Sequence, residues 1–333
     1  MSLNCPNRLK RRTFLTTAIC TLAAGLPIAP SSASAANYPE HAITLIVPYA
    51  PGGGVDTTAR VFVRQLEKAL KQTVVIENRS GAGSLIGIGA ALRAAPDGYT
   101  LLLADPALAI NQNLSPKEPY DARHDLKAIS IVTTAPYVLV ATNGLDASSP
   151  DEVIALSKKT KKGLTFASAG IGTAPHMTGE LLKLKTNSNL IHVPYRGGAP
   201  AMTDLTAGQV DLAFTTIASA RASLAQGRIR GIATTGKERA PDFPSLPTLA
   251  ETVPGFNVRY WTGLFAPAKT PPEIIKQLNE ATRLALQSPE LSEALKSSGE
   301  TATYLQIEQS EKFLDNEIRM WADVISQANL KNK

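Results

Sequence analysis

The sequence predicts an α/β protein built as two lobes, and three observations lead to this fold class. Short apolar segments alternate with segments of helical periodicity along most of the 333 residues, which is typical of a largely parallel sheet covered on both faces. The alternation runs as two series, at 42–104 and 149–234, joined by extended segments. The length also exceeds that of a usual single-core domain. Two lobes with a cleft between them are therefore expected.

The first 35 residues are predicted to be a signal peptide. Basic residues from Arg8 to Arg12 precede an apolar stretch at 14–27 and a small-residue segment that ends in Ala33-Ser34-Ala35. The apolar stretch is shorter than the about 20 residues that span a bilayer. The pair Arg11-Arg12 also fits a twin-arginine signal, so both export routes remain open. We expect a periplasmic protein.

Removal of the signal peptide changes the charge and the cysteine content. Four of the 34 basic residues leave, so the balance against 28 acidic residues becomes about +2, and no nucleic-acid partner is expected. Cys5 and Cys20 leave as well. Ile19, directly before Cys20, disfavours a lipoprotein site. The mature chain is expected to have no disulfide and no thiolate site.

The first series predicts three strands, at 42–47, 74–76 and 99–104, and helices at 56–70 and 84–94. An extended segment follows at 129–142. Proline has no N–H for a ladder hydrogen bond, so Pro136 in the middle of this segment predicts that it is not a central strand.

The second series predicts strands at 164–167, 190–193, 210–214 and 229–234, and helices at 149–158, 175–184 and 200–206. A strand at 260–266 follows a proline-rich stretch, and the chain from 271 to 328 is mainly helical. We expect lobe I to comprise 36–138 and 260–333, and lobe II to comprise 139–259.

Three glycine-rich loops, at 49–54, 167–173 and 195–200, follow predicted strands and precede predicted helices. Open α/β sheets bind ligands at this position. Glycines let backbone N–H groups approach a ligand, and a helix N-terminus favours an anion. The first loop also fits a tight turn, with Asp56 as the helix cap. Two such loops in different lobes could close on one anion.

Aromatic residues near predicted strand ends fit core or hinge packing, and Tyr195 is favoured for the cleft because glycines follow it; the set is Tyr49, Tyr195, Phe214, Tyr260 and Trp261. Asp105 has two interpretations. In the cleft it would suit a ligand hydroxyl or amine and disfavour a second carboxylate. Before Pro106 it would cap a turn.

No catalytic or metal site is predicted. The four histidines, at positions 41, 124, 176 and 192, show no metal-ligand spacing on one predicted helix. A G-x-S-x-G elbow and a Walker pattern are lacking, and the glycines at 81–87 miss the dinucleotide spacing by one residue. We expect no cofactor and no enzymatic activity.

A series of motifs follows in order from Tyr38 to the end of the chain and includes Ile46-Val-Pro-Tyr-Ala-Pro-Gly-Gly53, Val75-Ile-Glu-Asn-Arg79, Pro96-Asp-Gly-Tyr-Thr-Leu101, His192-Val-Pro-Tyr-Arg-Gly197 and Trp261-Thr-Gly263. This ordered series resembles the Bug receptors, the TctC-type periplasmic binding components of tripartite tricarboxylate transport systems. The resemblance implies a type II periplasmic-binding-protein fold, with two α/β lobes, a ligand cleft and a hinge.

The resemblance also implies that one carboxylate of an organic acid is held between the loops at 50–54 and 168–173, for uptake by membrane transporter subunits. The implied site residues are Tyr49, Pro51, Gly52, Gly53, Asp105, Ala107, Ser168, Gly170, Gly172, Thr173, Tyr195, Gly197, Ala199 and Thr215. Thr215 stands where the family often has an acidic residue, which bears on the ligand more than on the fold. A monomer is expected. A periplasmic hydrolase acting on a carboxylate and a ligand-sensing partner of a signalling protein remain as alternatives.

Overall fold

The structure is a computed structural model that describes residues 37–114 and 119–331. The predicted signal peptide lies outside the described residues. The strands of this part are β1 (Ile43–Val47), β2 (Val74–Asn78), β3 (Thr100–Ala104), β4 (Leu126–Thr142), β5 (Leu164–Ser168), β6 (Leu190–Pro194), β7 (Leu212–Thr216), β8 (Ile229–Thr234), β9 (Arg259–Pro267) and β10 (Thr301–Ala302).

The helices of the same part are α1 (Gly54–Leu70), α2 (Leu85–Leu92), α3 (Ala107–Leu114), α4 (Ala122–Asp125), α5 (Pro150–Lys159), α6 (Ala174–Thr186), α7 (Gly198–Thr206), α8 (Ile217–Ala225), α9 (Leu249–Thr252), α10 (Pro272–Leu286), α11 (Pro289–Ser297) and α12 (Ile307–Gln327). A short 3-10 turn precedes α2. Within these described helices, none has the length and apolar character needed to cross a membrane.

The strands join in the order β2-β1-β3-β9-β4-β7-β5-β6, and β8 and β10 also pair with β4. The pairs β1–β2, β1–β3, β5–β6 and β5–β7 are parallel, as the alternation predicts. β4 and β9 run antiparallel to their neighbours. The predicted largely parallel sheet is therefore mixed at its centre, because periodicity identifies a strand without giving its direction.

The segment that contains Pro136 is a central strand, and the prediction that it is not was wrong. Pro136 pairs with Arg259, the first residue of β9. Pairing with β7 begins only at Tyr137, and pairing with β8 at Val138. The missing N–H thus falls where β4 passes from one set of partners to the next, so proline interrupts neither ladder.

β4 divides the strands into two groups. Its N-terminal half pairs with β9 and β10 in the first strand group, which also holds β1, β2 and β3. Its C-terminal half pairs with β7 and β8 in the second strand group, which also holds β5 and β6. The lobe boundaries at 138/139 and 259/260 stay a prediction.

Apolar burial explains why the helices lie on the sheet. On α1, Ala59, Phe62 and Leu66 recur at helical spacing and are fully buried, which gives the helix one apolar face. Trp261 of β9 and Trp321 of α12 are also fully buried in the same core cluster. A second cluster lies beneath α7 and α8 in the second strand group.

Several described helices begin at or shortly after the carboxyl end of a strand, among them α1 after β1, α3 after β3, α6 after β5, α7 after β6 and α8 after β7. Their N-termini lie beside the loops in which the sequence places a ligand. α3 and α8 were not predicted, because their apolar residues show little helical periodicity.

Candidate functional site

Asp56 holds the loop between β1 and α1 in shape. Its buried carboxylate accepts hydrogen bonds from the Gly52 N–H at 2.8 Å, the Asn78 amide at 2.9 Å and the Arg60 guanidinium at 2.8 and 3.0 Å. Burial acts to raise the pKa of Asp56, but these hydrogen bonds, led by that from Arg60, lower it below its usual value. Gly53, not Asp56, occupies the N-cap position, because α1 begins two residues earlier than predicted.

The backbone N–H groups that were predicted to bind an anion in this loop donate to nearby acceptors of the loop and the first turn of α1. The Gly52 N–H donates to Asp56, and the Gly53 N–H lies 3.4 Å from the Ala50 carbonyl oxygen. The next two N–H groups, of Gly54 and Val55, belong to the first turn of α1, where the helix supplies no acceptor. These two N–H groups are the ones suited to receive an anion.

The loop between β5 and α6 is also bonded within itself. The Gly170 N–H donates to Ser168 Oγ at 3.1 Å, and Thr173 Oγ donates to the Gly170 carbonyl at 2.7 Å. The Gly172 N–H donates to His176 Nδ1 at 3.4 Å. Four of the predicted site residues therefore shape this loop, and the Ala174 N–H opens α6 without an intrahelical acceptor.

His176 and His192 form a stacked pair beneath this loop, with ring centroids 4.0 Å apart. His192 Nε2 lies 2.7 Å from Ser168 Oγ. Burial lowers the pKa of His176 to about 4 and that of His192 to about 3, so both rings are neutral near pH 7. Among the described hydrogen bonds, no carboxylate orients His192, as a Ser–His–acid triad requires.

Tyr195 turns toward α7, because its hydroxyl donates to Asp204 at 2.8 Å. Burial and this hydrogen bond raise the pKa of Tyr195 to about 12. Gly197 precedes α7 at φ 123°, a conformation that favours glycine, and Ala199 is exposed in the first turn. The Tyr195 N–H donates to the Ser168 carbonyl at 3.1 Å, so the second and third predicted loops are adjacent.

Asp105 makes one hydrogen bond that fits a turn cap and another that fits a position beside the ligand. Its carboxylate accepts from the Ala107 N–H at 3.1 Å, which caps the turn into α3. It also accepts from the Tyr49 hydroxyl at 2.9 Å, and both side chains keep a part of their surface in contact with solvent. Burial raises the pKa of Asp105 to about 6, although the two hydrogen bonds act to lower it.

The structure places further residues beside these, which the sequence did not identify as site residues. The rings of Tyr137 and Tyr260 meet edge to face, with centroids 5.9 Å apart. Glu300 accepts hydrogen bonds from Thr58 at 2.9 Å and Thr133 at 2.7 Å, and burial raises its pKa to about 7. The sequence predicts core or hinge packing for Tyr260, and no local sequence pattern identifies Glu300 as a site residue.

The two strand groups approach each other at the loop ends. A methyl group on Gly54 would lie 3.9 Å from Thr216 Cγ2, at the end of β7. One on Gly83 would lie 3.0 Å from the Ile171 carbonyl oxygen. The predicted loops at 49–54 and 168–173 thus belong to opposite strand groups, and Thr215 is buried beside Thr216.

This arrangement suits an oxyanion better than a metal ion. Within 37–114 and 119–331, no three His, Cys, Asp or Glu residues are grouped to hold a metal. What the loops offer is a set of helix N-termini and hydroxyl groups, which bind an anion through N–H and O–H donors.

The chain matches known proteins over most of its length. Residues 58–330 match the family model of TctC, the tripartite tricarboxylate transporter family receptor. The chain is 37% identical over 303 residues to BugT of Bordetella pertussis strain Tohama I, covering 90% of this chain and 93% of that protein. It is 36% identical over 264 residues to a protein from the tcbD-tcbE intergenic region of Pseudomonas sp. strain P51, covering 79% of each.

Solved structures share the fold. The periplasmic binding protein BugD has a TM-score of 0.81 at 31% identity, covering 88% of this chain and 99% of that one. MatC from Rhodopseudomonas palustris with bound malate has a TM-score of 0.79 at 32% identity, covering 86% and 100%. A protein from R. palustris with adipate has a TM-score of 0.82 at 29% identity, covering 88% and 99%. These likenesses extend over both strand groups.

Proposed function

The chain belongs to the TctC family of tripartite tricarboxylate transporter receptors, the Bug receptors, and from this premise we propose that it captures a small organic carboxylate between its two lobes. The predicted family, the α/β periplasmic-binding-protein fold and the solute-binding role are confirmed. The family is one of receptors and not of enzymes, so the hydrolase alternative is set aside.

The N-terminus of α1, facing the second strand group, carries this proposal. The N–H groups of Gly54 and Val55 lie there and have no acceptor within the helix. Gly54 also lies close to Thr216 of the second strand group. The nearby Arg60 is paired with Asp56, so in this proposal N–H and O–H donors bind the anion and Arg60 does not. Two relatives hold malate and adipate in their solved structures.

In the proposed binding mode, one carboxylate lies between the first turns of α1 and α6. The loop residues Tyr49 to Gly53 and Ser168 to Thr173 hold these two helix ends in place through their internal hydrogen bonds. Asp105, Ala107, Tyr195, Gly197, Ala199 and Thr215 border the rest of the ligand. Exclusion of water on closure strengthens the hydrogen bonds to the carboxylate.

The lobes of this proposal are residues 36–138 with 260–333, and residues 139–259. β4 and β9 connect them, so these strands are where the hinge would bend. The ligand shifts the population toward the closed state because only that state contacts it from both sides.

We further propose export to the periplasm through the first 35 residues, by the general or the twin-arginine route. The charged start, the short apolar core and the Ala33-Ser34-Ala35 end support this. The bound carboxylate is then delivered to membrane transporter subunits by a monomeric receptor. A ligand-sensing partnership uses the same binding chemistry, and a transport assay separates the two.

A thermal-shift screen of the chain from residue 36 tests the proposal, with malate, adipate, citrate and benzoate as probes. Selective binding to the native state adds about 2.7 kcal/mol of stability at a hundredfold excess over Kd. We expect a rise in Tm with at least one acid and none with its uncharged amide. No rise with any acid, after denaturing mass spectrometry has excluded a co-purified ligand, would contradict the proposal.

Two glycine variants add a control on the site. Gly53→Val is expected to lose the Tm rise. The variant should stay folded, because the new Cβ would meet only the Ala50 carbonyl oxygen, at 3.5 Å. Gly144→Val places the same side chain on an exposed turn with no atom within 4 Å and should keep the rise. An equal rise in both variants would remove the β1–α1 loop from the site.

A further inference from the structure

Tyr260 carries a buried hydroxyl without a hydrogen-bond partner in the described part of the chain. The residue is 3% exposed, and its oxygen is shielded from solvent. A buried polar group without a partner costs free energy, so native structures leave few of them. The partner of such a hydroxyl is a water or a bound molecule.

The hydroxyl lies at the N-terminus of α1. A methyl group on Gly54, the first residue of that helix, would lie 3.7 Å from the Tyr260 oxygen. The same methyl position is 3.9 Å from Thr216 Cγ2 of the second strand group. Tyr260 itself comes from β9, which pairs with β4 at the centre of the sheet. Three parts of the fold thus meet where an anion would be received.

The neighbours of Tyr260 leave its hydroxyl free to donate. Thr58 lies within hydrogen-bonding reach of the Tyr260 oxygen and acts to lower the pKa of Tyr260, but the Thr58 hydroxyl donates to the Gly54 carbonyl at 3.0 Å and to Glu300 at 2.9 Å. Tyr137 presents a ring contact. Burial, and then the charges of Glu300 and Asp105, raise the pKa of Tyr260 well above 10, so the phenol keeps its proton.

We propose that Tyr260 contacts the ligand directly and that its O–H donates a hydrogen bond to the carboxylate received at the first turn of α1. This inference rests on the proposed function. The N–H groups of Gly54 and Val55 approach the carboxylate from the helix, and the Tyr260 O–H approaches from the sheet. A bond from a neutral donor to a charged acceptor is stronger than one between neutral groups. Tyr260 thus selects for a carboxylate over an uncharged amide or ester of the same shape.

The test compares Tyr260→Phe with Tyr38→Phe by calorimetric titration with malate, adipate, citrate and benzoate. Tyr260→Phe removes only the unpaired oxygen, so we expect an unchanged or higher Tm without ligand and an affinity lower by about tenfold or more. Tyr38 donates to the Gly98 carbonyl at 2.7 Å, at the opposite end of β3 from Asp105. Its variant should lower the Tm and leave the affinity unchanged.

The outcomes separate this inference from the function on which it rests. Binding by the unmodified protein together with an affinity of Tyr260→Phe within about twofold of it overturns the role of Tyr260 alone. Absence of binding to all four acids overturns the proposed function, and this role with it. A Tm of the unliganded Tyr260→Phe protein as low as that of Tyr38→Phe also overturns the role, because the hydroxyl then has a structural partner.

Discussion

Two carboxyl groups near the first turn of α1, on Asp105 and Glu300, have only hydroxyl and N–H partners in the described part of the chain. Their hydrogen bonds come from Tyr49 and the Ala107 N–H in one case and from Thr58 and Thr133 in the other. Burial without a cation favours the protonated form. At Asp56 the opposite holds, because Arg60 is bonded to it. Acids with raised and with lowered pKa values thus lie within one site.

This difference predicts how affinity depends on pH. Asp105 and Glu300, with pKa values of about 6 and 7, take up protons as pH falls from 7.5 to 5.5, so the negative charge near the ligand decreases. A ligand carboxyl with an ordinary pKa of about 4 stays ionised over this range. His176 and His192 stay neutral. We therefore expect tighter binding at pH 5.5, by roughly threefold or more.

Calorimetric titration at pH 7.5, 6.5 and 5.5 measures this dependence. The double variant Asp105→Asn/Glu300→Gln is neutral at both positions and should bind with nearly the same affinity at all three values. Weaker binding by the unmodified protein at the lowest pH would show that these acids do not oppose the ligand.

The role of a residue was predictable from the sequence where that role depends on its neighbours along the chain. The glycines at 52–54 follow an apolar strand and precede a helix, and the structure has the turn there. Hydrogen-bond partners were not predictable, because distant residues supply them. Tyr49 and Asp105 are 56 residues apart, and Thr58 and Glu300 are 242 apart. No local pattern could pair them.

At the scale of elements, α2 shows how close packing depends on a single glycine. A Cβ on Gly87 would lie 2.6 Å from Pro48 Cα and 2.9 Å from the Arg79 carbonyl oxygen, which are backbone atoms after β1 and β2. Gly89, two residues later, faces the flexible end of Arg93 at 3.1 Å. Only the first position needs glycine for contact with the sheet.

The two positions therefore predict opposite effects in one helix. Gly87→Ala should destabilise the fold by about 1–3 kcal/mol, because α2 must move away from the sheet. Gly89→Ala should be neutral or stabilising, by up to about 1 kcal/mol, since alanine favours the helix. Urea unfolding measures both. Equal midpoints for the two variants would contradict this packing.

Elements were predictable where periodicity is strong. The apolar face of α1 recurs at helical spacing, and its predicted end at residue 70 agrees with the structure. α8, in contrast, is mostly alanine and serine and lacks a clear apolar face. The segment that forms β4 was not predicted to be a central strand, because it contains Pro136. The structure shows that β4 changes its pairing partners at this residue, which explains why proline is tolerated there.

At the scale of the whole molecule, the sheet explains how a ligand could move one lobe against the other. β4 spans 17 residues and pairs with strands of both groups. Helix N-termini from both groups lie near their boundary, so a molecule bound there contacts both. Two α/β units were predictable from the repeated alternation, whereas the continuous sheet between them depends on antiparallel pairing that the alternation does not encode.

The crystal structure of the chain from residue 36, grown with malate or adipate, tests the central claim most directly. The account predicts one carboxylate at hydrogen-bonding distance, about 2.7–3.2 Å, from the Gly54 N–H and the Tyr260 hydroxyl. A donor from the segment 168–174 should contact the same carboxylate from the other lobe. Density for the acid anywhere else, or a carboxylate held without the first turn of α1, would contradict it.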